Sequence, residues 1–332
     1  MTILGPAARR GPLAAGQRVQ LTDAKGRLHT IQLRQGAIYH TNKGVLAHDA
    51  LIGLPDGSVV RTELGHEFLA LRPLLNDYVM GMPRGAAIVY PKDAGQIVQM
   101  ADIFPGAVVL EAGVGSGALS MSLLSAIGQG GRLISIERRE DFAQIARLNV
   151  TAWFDGVPPE WDVRVGDFSD VVPTLGVTAD RVVLDMLAPW ENIAVAADAL
   201  APGGVILAYV ATTTQLSRFV EELRASARFA EPRSWESMVR TWHVEGLAVR
   251  PDHRMVGHTG FLVTARRLAD GTVPPERTRR PAPSAQGARD HLADVPVTPE
   301  NVGERTPADR KVRRVLRDLT NQASYDQEVH HD

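Results

Sequence analysis

The 332-residue sequence predicts an α/β protein in which a small N-terminal β domain precedes a parallel, doubly wound sheet. Two patterns and one change of composition support this prediction. Residues 1–75 contain short β segments separated by glycines, and from residue 76 to residue 270 strands alternate with helices. Beyond residue 270 the chain becomes rich in Pro, Arg, Ala and Asp, which marks a third region at 271–332.

The N-terminal region has the turn residues and the short β segments of a small sheet or barrel. Residues 18–21 and 28–33 flank the stretch from Thr22 to Gly26, which has the composition of a hairpin turn. Further β segments are predicted at residues 45–52, 58–62 and 67–72. Nothing in this region indicates a catalytic group.

The central region alternates apolar strand patterns with helical patterns. The predicted strands are residues 108–112, 133–136, 163–165, 182–184, 204–210 and 261–266, and the predicted helices are residues 118–127, 141–150, 193–200 and 213–229. Such alternation is typical of parallel strands joined by right-handed crossovers. Open sheets of this kind bind ligands at the carboxyl ends of their strands.

The C-terminal region, 271–332, has too few apolar residues to offset the entropy lost on ordering, so we predict that it is disordered. Within it, residues 311–317 could form a short basic helix that binds a partner. A solvated charged tail is the simpler interpretation of this charge run.

The composition excludes several classes of protein. With 36 Lys and Arg against 38 Asp and Glu, the net charge of −2 argues against a broadly cationic nucleic-acid coat, so a polyanion would need a local patch. The absence of cysteine excludes a disulfide scaffold and a thiol nucleophile. No apolar run is long enough for a membrane span and the start lacks a signal-peptide block, so we expect a cytoplasmic protein. By sign alone, candidates for the polyanion patch are Arg18, Arg34, Arg61, Arg84 and Lys92.

A glycine-rich loop between a predicted strand and a predicted helix is the sharpest local signal. Gly113, Gly115 and Gly117 stand directly before the helix that starts at Ala118, so backbone can approach a ligand and the helix N-terminus can donate N–H groups. The same letters satisfy the dinucleotide fingerprint, with Glu137 at the distance of a ribose-binding acid. NAD therefore remains an alternative ligand at this stage.

Three features favour S-adenosylmethionine. Glu111, two residues before the first glycine, would oppose a pyrophosphate but could accept a cationic aminoacyl sulfonium ligand. Asp167 and Phe168 follow the third strand and offer a carboxylate and a ring to an adenine. Asp185 follows the fourth strand and precedes a proline-containing loop, where a methyl acceptor would lie. Four acids at successive strand ends predict one ligand-binding edge.

Three motifs carry a family resemblance. VYPKDAGQI (89–97), EAGVGSGAL (111–119) and DMLAPWE (185–191) resemble the bacterial and archaeal tRNA (adenine-N1)-methyltransferases, which modify adenosine 58 in the T loop of tRNA. The similarity extends from about residue 16 to residue 268, and includes residues 18–26, 71–80 and 254–262. The resemblance implies a class I (Rossmann-like) methyltransferase domain with seven strands, a cytoplasmic homotetramer, S-adenosylmethionine as cofactor and tRNA as substrate.

The resemblance also assigns roles to individual residues. It implies that Asp185 is the catalytic acid and that Tyr90 and Tyr209 lie beside the acceptor base. It implies that Glu137 binds the ribose hydroxyls and that Asp167 contacts the cofactor adenine, with Phe168 beside it. The remaining cofactor contacts that it implies are Gln96, Gly113, Ser116, Gly117, Ala118, Leu119 and Phe142.

The chemistry of adenine agrees with these roles. N1 is unprotonated at neutral pH, so no proton must leave before attack, and Asp185 can orient the base and stabilise the developing positive charge. The base must first be extruded from the folded T loop, which makes Tyr90 or Tyr209 a sensible stacking partner, although ordinary core packing explains both tyrosines on spacing alone. The histidines show no paired ligand spacing, and we predict no metal.

Three other classes remain open. An NAD-dependent oxidoreductase would share the glycine loop, but no Tyr-x-x-x-Lys or similar hydride-transfer pattern accompanies it. A protein carboxyl methyltransferase would share the fold, yet neither the loop at 187–191 nor the N-terminal β module is expected of it. A non-catalytic RNA-binding module is disfavoured by the near-neutral charge and by the intact set of acids.

Overall fold

The computed structural model describes residues 10–275 and 308–329, with side chains up to residue 322. Within these residues the chain divides into two compact units. The first comprises the described residues up to Pro83 together with Thr151–Gly156 and the helical residues from Leu319 onward. The second comprises Arg84–Val150 and the described part of Val157–Asp318.

The first unit is built on antiparallel strands. Its elements are β1 (Arg18–Asp23), β2 (Leu28–Gln32), β3 (Ile38–Thr41), β4 (Gly44–Ala47), β5 (Ser58–Arg61), β6 (Glu67–Leu71) and α1 (Leu75–Gly81). A four-stranded sheet has the order β2-β1-β6-β5, and β3 pairs with β4 in a separate hairpin. Alternate residues of β1, among them Val19 and Leu21, point into an apolar core that includes Phe68. The predicted hairpin between β1 and β2 is confirmed.

The second unit alternates strands and helices. Its elements are α2 (Pro91–Met100), β7 (Val108–Ala112), α3 (Ala118–Ile127), β8 (Arg132–Glu137), α4 (Glu140–Phe154), β9 (Trp161–Val165), α5 (Phe168–Val171), β10 (Ala179–Asp185), α6 (Ile193–Ala199), β11 (Leu200–Val210), α7 (Thr213–Ala225), β12 (Arg233–Trp235), β13 (Trp242–Glu245), β14 (Ala248–Pro251), β15 (Phe261–Arg266) and α8 (Asp309–Val329). The last residues of α4 and α8 group with the first unit.

A seven-stranded sheet with the order β12-β15-β11-β10-β7-β8-β9 forms the centre of the second unit. The strands from β9 to β11 are parallel, and most residues of the central strands β7, β8 and β10 are buried, as is typical of parallel strands that are covered on both faces. The predicted class I architecture with seven strands is confirmed. The sheet is mixed and not fully parallel, since β15 runs antiparallel to both of its neighbours.

The C-terminal region differs from its prediction. Residues 309–329 form the helix α8, in which Val312, Val315 and Leu319 are buried. The prediction of disorder is therefore wrong for this segment, because its apolar residues recur at helical spacing and find a surface to cover. The alternative of a helix around 311–317 agrees with α8, which is longer than expected, and the binding of a partner stays a prediction. Residues 276–307 and 330–332 of the same region lie outside the described residues.

Candidate active site

The carboxyl ends of five neighbouring strands form one edge of the sheet in the second unit. In spatial order these strands are β11, β10, β7, β8 and β9, and the residues at or just beyond their ends are Tyr209, Asp185, Gly113, Glu137 and Asp167. At about 4.8 Å between strands, this edge is roughly 19 Å long. The strand order reverses between β7 and β10, and open α/β sheets bind ligands at such a switch point.

The glycine loop after β7 is packed against the end of β10. Gly113 has a φ of 85°, and a methyl group placed on its Cα would overlap the carbonyl oxygen of Asp185. Gly117, with a φ of 81°, approaches Val150 of α4 so closely that a Cβ would lie 3.0 Å from a methyl carbon. Both positions therefore require glycine.

Ser116 lies at the tip of this loop. Its carbonyl oxygen accepts a hydrogen bond of 3.0 Å from Asn149 Nδ2, and its hydroxyl is buried without a hydrogen-bond partner among the described residues. Ala118 and Leu119 begin α3 with buried side chains, so their backbone N–H groups are what they can offer to a ligand. The loop therefore has a fixed backbone, and it offers a ligand the hydroxyl of Ser116 and the first N–H groups of α3.

Glu137 is fixed at the end of β8 by two backbone amides. Its Oε2 accepts from Gly115 N at 3.0 Å and its Oε1 accepts from Arg139 N at 3.1 Å. Each carboxylate oxygen keeps a second lone pair, so the group can accept from a pair of ligand hydroxyls without moving.

Glu111 does not belong to this edge, contrary to the sequence-based interpretation. Its side chain is fully buried, and Oε2 accepts hydrogen bonds from Ser120 Oγ at 2.7 Å and Ser135 Oγ at 2.5 Å. Burial raises the pKa of this carboxyl to about 7, against the lowering effect of the two serine hydroxyls. The acid lies within β7, where side chains alternate between the faces of the sheet, and it contacts the face covered by α3. Three acids, not four, line the edge.

The adenine end of the predicted cofactor site is partly as expected. Asp167 is the residue before α5, and its Oδ1 accepts from Arg138 Nε at 2.5 Å on a partly exposed surface. Phe168, the first residue of α5, is 2% exposed and packs in the apolar core, and its contact with the cofactor stays a prediction. Phe142 is also buried, with the guanidinium of Arg139 stacked 4.4 Å from the centre of its ring. Gln96 is half-buried on α2.

The opposite end of the edge brings together the predicted catalytic residues. Asp185 is half-buried and pairs in register with Tyr209 of β11. Burial raises the pKa of Tyr209 well above its ordinary value, and the nearby Asp93, Asp185 and Tyr90 raise the pKa further. These groups therefore lie within electrostatic reach of one phenol, which stays neutral at physiological pH.

A buried charged network behind Tyr209 was not anticipated from the sequence. Lys92 Nζ donates to Asp93 Oδ1 at 2.7 Å, to Thr259 Oγ1 at 2.6 Å and to the carbonyl oxygen of Ser237 at 2.7 Å. Asp93 is fully buried and also accepts from Ser237 Oγ at 2.8 Å and Thr259 Oγ1 at 2.5 Å. Thr259 in turn hydrogen-bonds Tyr209, which it thereby fixes in place.

The sign of its charge alone suggested that Lys92 belongs to a surface patch for polyanions. The structure excludes this, because the side chain is 10% exposed and acceptors already surround its ammonium group. The one available signal was the adjacent Lys and Asp immediately after Pro91, at the start of α2. Opposite charges on neighbouring residues are common on surfaces, so the pattern did not distinguish a buried network.

Gly260 completes the support of Tyr209. A Cβ on Gly260 would lie 2.6 Å from Cε2 and 2.7 Å from the hydroxyl oxygen of Tyr209. The bare backbone of Gly260 therefore forms the surface against which the phenol ring rests. Nearby, His258 packs against Phe261 with ring centres 4.7 Å apart, and its Nδ1 lies 3.0 Å from Glu236 Oε2.

Among the residues that the structure covers, no cluster of three or more His, Asp or Glu side chains has the arrangement of a metal site. None of the helices in the described ranges has the length and apolar character needed to cross a membrane.

Comparison with known proteins gives two family models that match in sequence order. The TrmI-like N-terminal model matches residues 11–60, and the model of the tRNA methyltransferase complex GCD14 subunit matches residues 69–250. The second match alone covers more than half of the chain, and it includes the glycine loop, Glu137, Asp167, Asp185 and Tyr209.

Two curated relatives cover most of the chain. The tRNA (adenine(58)-N(1))-methyltransferase TrmI of Thermus thermophilus is 37% identical over 251 residues, which are 74% of this chain and 95% of that protein. The tRNA (adenine(57)-N(1)/adenine(58)-N(1))-methyltransferase TrmI of Methanocaldococcus jannaschii is 31% identical over 247 residues, which are 67% of this chain and 84% of that protein.

Two crystal structures share the architecture. A SAM-dependent O-methyltransferase from Thermotoga maritima is 31% identical with a TM-score of 0.73, covering 78% of this chain and 96% of that one. The tRNA (m1A58) methyltransferase TrmI from Aquifex aeolicus is 25% identical with a TM-score of 0.68, covering 78% of this chain and all of that one.

Proposed function

Because the chain belongs to the TrmI family of tRNA (adenine-58-N1)-methyltransferases, we propose that it transfers a methyl group from S-adenosylmethionine to N1 of adenosine 58 in the T loop of tRNA. The observation that carries this proposal is the position of Asp185. It lies at the switch point of the sheet, with the glycine loop on one side and Tyr209 on the other.

The residues at the edge fit S-adenosylmethionine. When bound, this cofactor supplies an electrophilic methyl group on a sulfonium. Glu137 would accept from the two ribose hydroxyls with the lone pairs that Gly115 and Arg139 leave free. Ser116 has a buried hydroxyl without a partner among the described residues and would gain one.

The other cofactor contacts follow the same edge. Gly113 and Gly117 allow the backbone to approach the ligand, and the first N–H groups of α3 face it with the positive end of the helix dipole. Asp167 would accept from the adenine amino group, and doing so requires Arg138 to share or release the carboxylate. Gln96 and Phe142 remain predicted contacts of the same site.

Asp185 orients the target base and stabilises the charge that forms on it. Its carboxylate accepts from the exocyclic amino group of adenine, which turns N1 toward the methyl donor. As N1 becomes alkylated the ring gains positive charge, and a half-buried carboxylate beside it lowers the energy of that state. No proton has to be removed before attack, so positioning contributes most of the remaining acceleration.

Tyr209 and Tyr90 would hold the adenine after it leaves the T loop. Extruding a base costs a few kcal/mol, and stacking on an aromatic ring returns about 1–3 kcal/mol. Tyr209 suits this task because it stays neutral and because Thr259 and Gly260 fix its ring from behind.

The test is methyl transfer to an unmodified tRNA transcript, followed by nucleoside mass spectrometry to locate the methyl group. We expect 1-methyladenosine at position 58, a loss of at least 100-fold in kcat for Asp185→Ala, and unchanged cofactor affinity. Asp198→Ala, at an exposed acid on α6, is the matched control and should retain activity. Methylation at N6 or at a ribose, or no product on tRNA, would overturn the proposal.

The homotetrameric assembly and the cytoplasmic location that the resemblance implies stay predictions. Size-exclusion chromatography with light scattering would test the first of them.

A further inference from the structure

The helix α8 has two faces of opposite character. Val312 and Val315 are buried, whereas Arg310, Arg313, Arg314 and Arg317 are exposed. These four arginines follow the spacing i, i+3, i+4, i+7, so they form a single row on the side opposite the buried valines. We call this row the arginine stripe. It is about 10 Å long at 1.5 Å per residue.

The stripe is held next to the cofactor side of the candidate active site. Val312 packs near Gly85, where a Cβ would lie 3.4 Å from its methyl carbon and 2.9 Å from Phe142 Cε1. Hydrogen bonding to Asp141 raises the pKa of Arg139, and the nearby charges of Asp309, at the start of α8, and Glu137 raise this pKa further. The N-terminal half of α8 is therefore anchored beside residues that flank Glu137.

Within the part of the chain that the structure describes, one of the four stripe arginines is in an ion pair. Arg317 pairs with Asp318 at 3.7 Å, and both side chains are largely exposed. Such a pair is weak in water. The whole chain carries a net charge of −2, so a polyanionic substrate needs a local cationic surface, and the stripe is one.

We propose that the arginine stripe of α8 binds the phosphate backbone of the tRNA substrate while the target base occupies the active site. This inference rests on the proposed function. A row of guanidinium groups on one helix face matches consecutive phosphates, and arginine can bind each of them with two hydrogen bonds. The matched family model ends at residue 250, so α8 lies outside the part of the chain that this model covers.

The alternative partner of a basic amphipathic helix is an anionic membrane surface. Membrane binding would need an exposed apolar face to enter the lipid. In the part of α8 whose side chains are described, up to residue 322, Val312 and Val315 are already buried in the protein and the arginine stripe is exposed. The structure therefore favours a nucleic-acid backbone over a lipid surface.

The experiment measures the affinity of the full chain for unmodified tRNA transcript by fluorescence anisotropy at several salt concentrations. In the stripe variant all four arginines are replaced by Gln, and in the rescue variant all four are replaced by Lys. The control variant replaces four exposed arginines of the second unit by Gln, namely Arg132, Arg164, Arg233 and Arg266, which gives the same change in net charge. Steady-state methyl transfer and cofactor affinity are measured in parallel.

We expect the stripe variant to raise the Kd and the KM for tRNA by about tenfold or more and to reduce the salt slope of log Kd by roughly 3–4. Its cofactor affinity and kcat should stay within twofold of wild type. The rescue variant should recover most of the affinity, because the charge returns. If the stripe variant fails to fold, Arg313→Gln with Arg317→Gln is measured instead, with half the change in slope.

The outcomes separate the inference from the proposed function. A wild-type enzyme that methylates tRNA while the stripe variant keeps its Kd and salt slope overturns the inference alone. An equal loss in the control variant overturns it as well, and so does stripe-dependent binding to phosphatidylserine vesicles with tRNA binding unchanged. A wild type that binds tRNA through the stripe yet yields no 1-methyladenosine overturns the proposed function and leaves the inference standing.

Discussion

Replacing Gly260 by alanine tests whether the position of Tyr209 controls the methyl transfer. The new methyl group would lie 2.6 Å from Cε2 of the phenol ring, whereas carbon atoms normally pack at about 3.5–4.0 Å. The ring must therefore move by about 1 Å or more. The backbone of Gly260 is not in the left-handed region, so alanine adds no conformational strain of its own.

A displacement of this size is large for a residue that is proposed to hold a reacting base. Misplacement by about 1 Å can cost around 100-fold in rate, which corresponds to about 2.7 kcal/mol of transition-state stabilisation. We expect Gly260→Ala to lower kcat for tRNA by about that factor. Cofactor affinity should be unaffected, because along the edge the glycine loop lies two strands away from Tyr209 and Glu137 lies three strands away.

The assay is single-turnover methyl transfer to tRNA, with cofactor affinity measured by calorimetry. Gly257→Ala is the matched control, since the nearest atom to its new methyl group is the Met255 Cε at 3.7 Å and no displacement is required. If Gly260→Ala and Gly257→Ala both retain full kcat, Tyr209 does not position the base and the prediction is wrong.

Three further predictions concern charged groups. Burial raises the pKa of Glu111 from 4.5 to about 7 on folding, so the wild type should lose about 3 kcal/mol of unfolding free energy as the pH rises from about 4.5 through 7. Urea unfolding at pH 5 and pH 8 should show this loss in the wild type and not in Glu111→Gln, and equal pH dependence in both proteins would contradict the prediction. Asp93→Asn leaves a buried ammonium group without its charged partner and should lower the unfolding free energy by about 3–5 kcal/mol, whereas the exposed Asp198→Asn should change it little. Hydrogen bonding to Glu236 raises the pKa of His258, so the contribution of this pair to stability is present below pH 6.5 and is lost as the pH rises through the folded pKa. NMR titration should show a lower pKa of His258 in Glu236→Gln, and a wild-type pKa at or below 6.5 would refute the pairing.

The acids at strand ends were predictable because parallel strands end at the same edge. Glu137, Asp167 and Asp185 each follow an apolar run and precede a loop or a helix, and the structure places all three there. Glu111 failed the same reasoning because it lies one residue inside its strand. Its side chain points to a helix-covered face, and serines on two other elements, not a ligand, supply its hydrogen bonds.

Long-range contacts account for most of what the sequence did not reveal. The network around Lys92 joins α2 to residues about 145 and 167 positions further on, and no local pattern predicts such a meeting. The reversed direction of β15 depends on the path of the chain before it, not on its own residues. In the C-terminal region, Val312 and Val315 have helical spacing, but the surrounding Pro- and Arg-rich composition concealed it.

The contacts of Lys92 have a topological consequence. Ser237 and Thr259 are both bound by the same ammonium group, so the excursion of residues 238–258 between them, which carries the β13–β14 hairpin, starts and ends at the same place. Once the ends of a loop are fixed, the entropic cost of closing it increases only slowly with its length. We therefore expect that the excursion can be shortened, extended or exchanged while Asp185 and Tyr209 keep their places, which makes it a suitable segment for redesign.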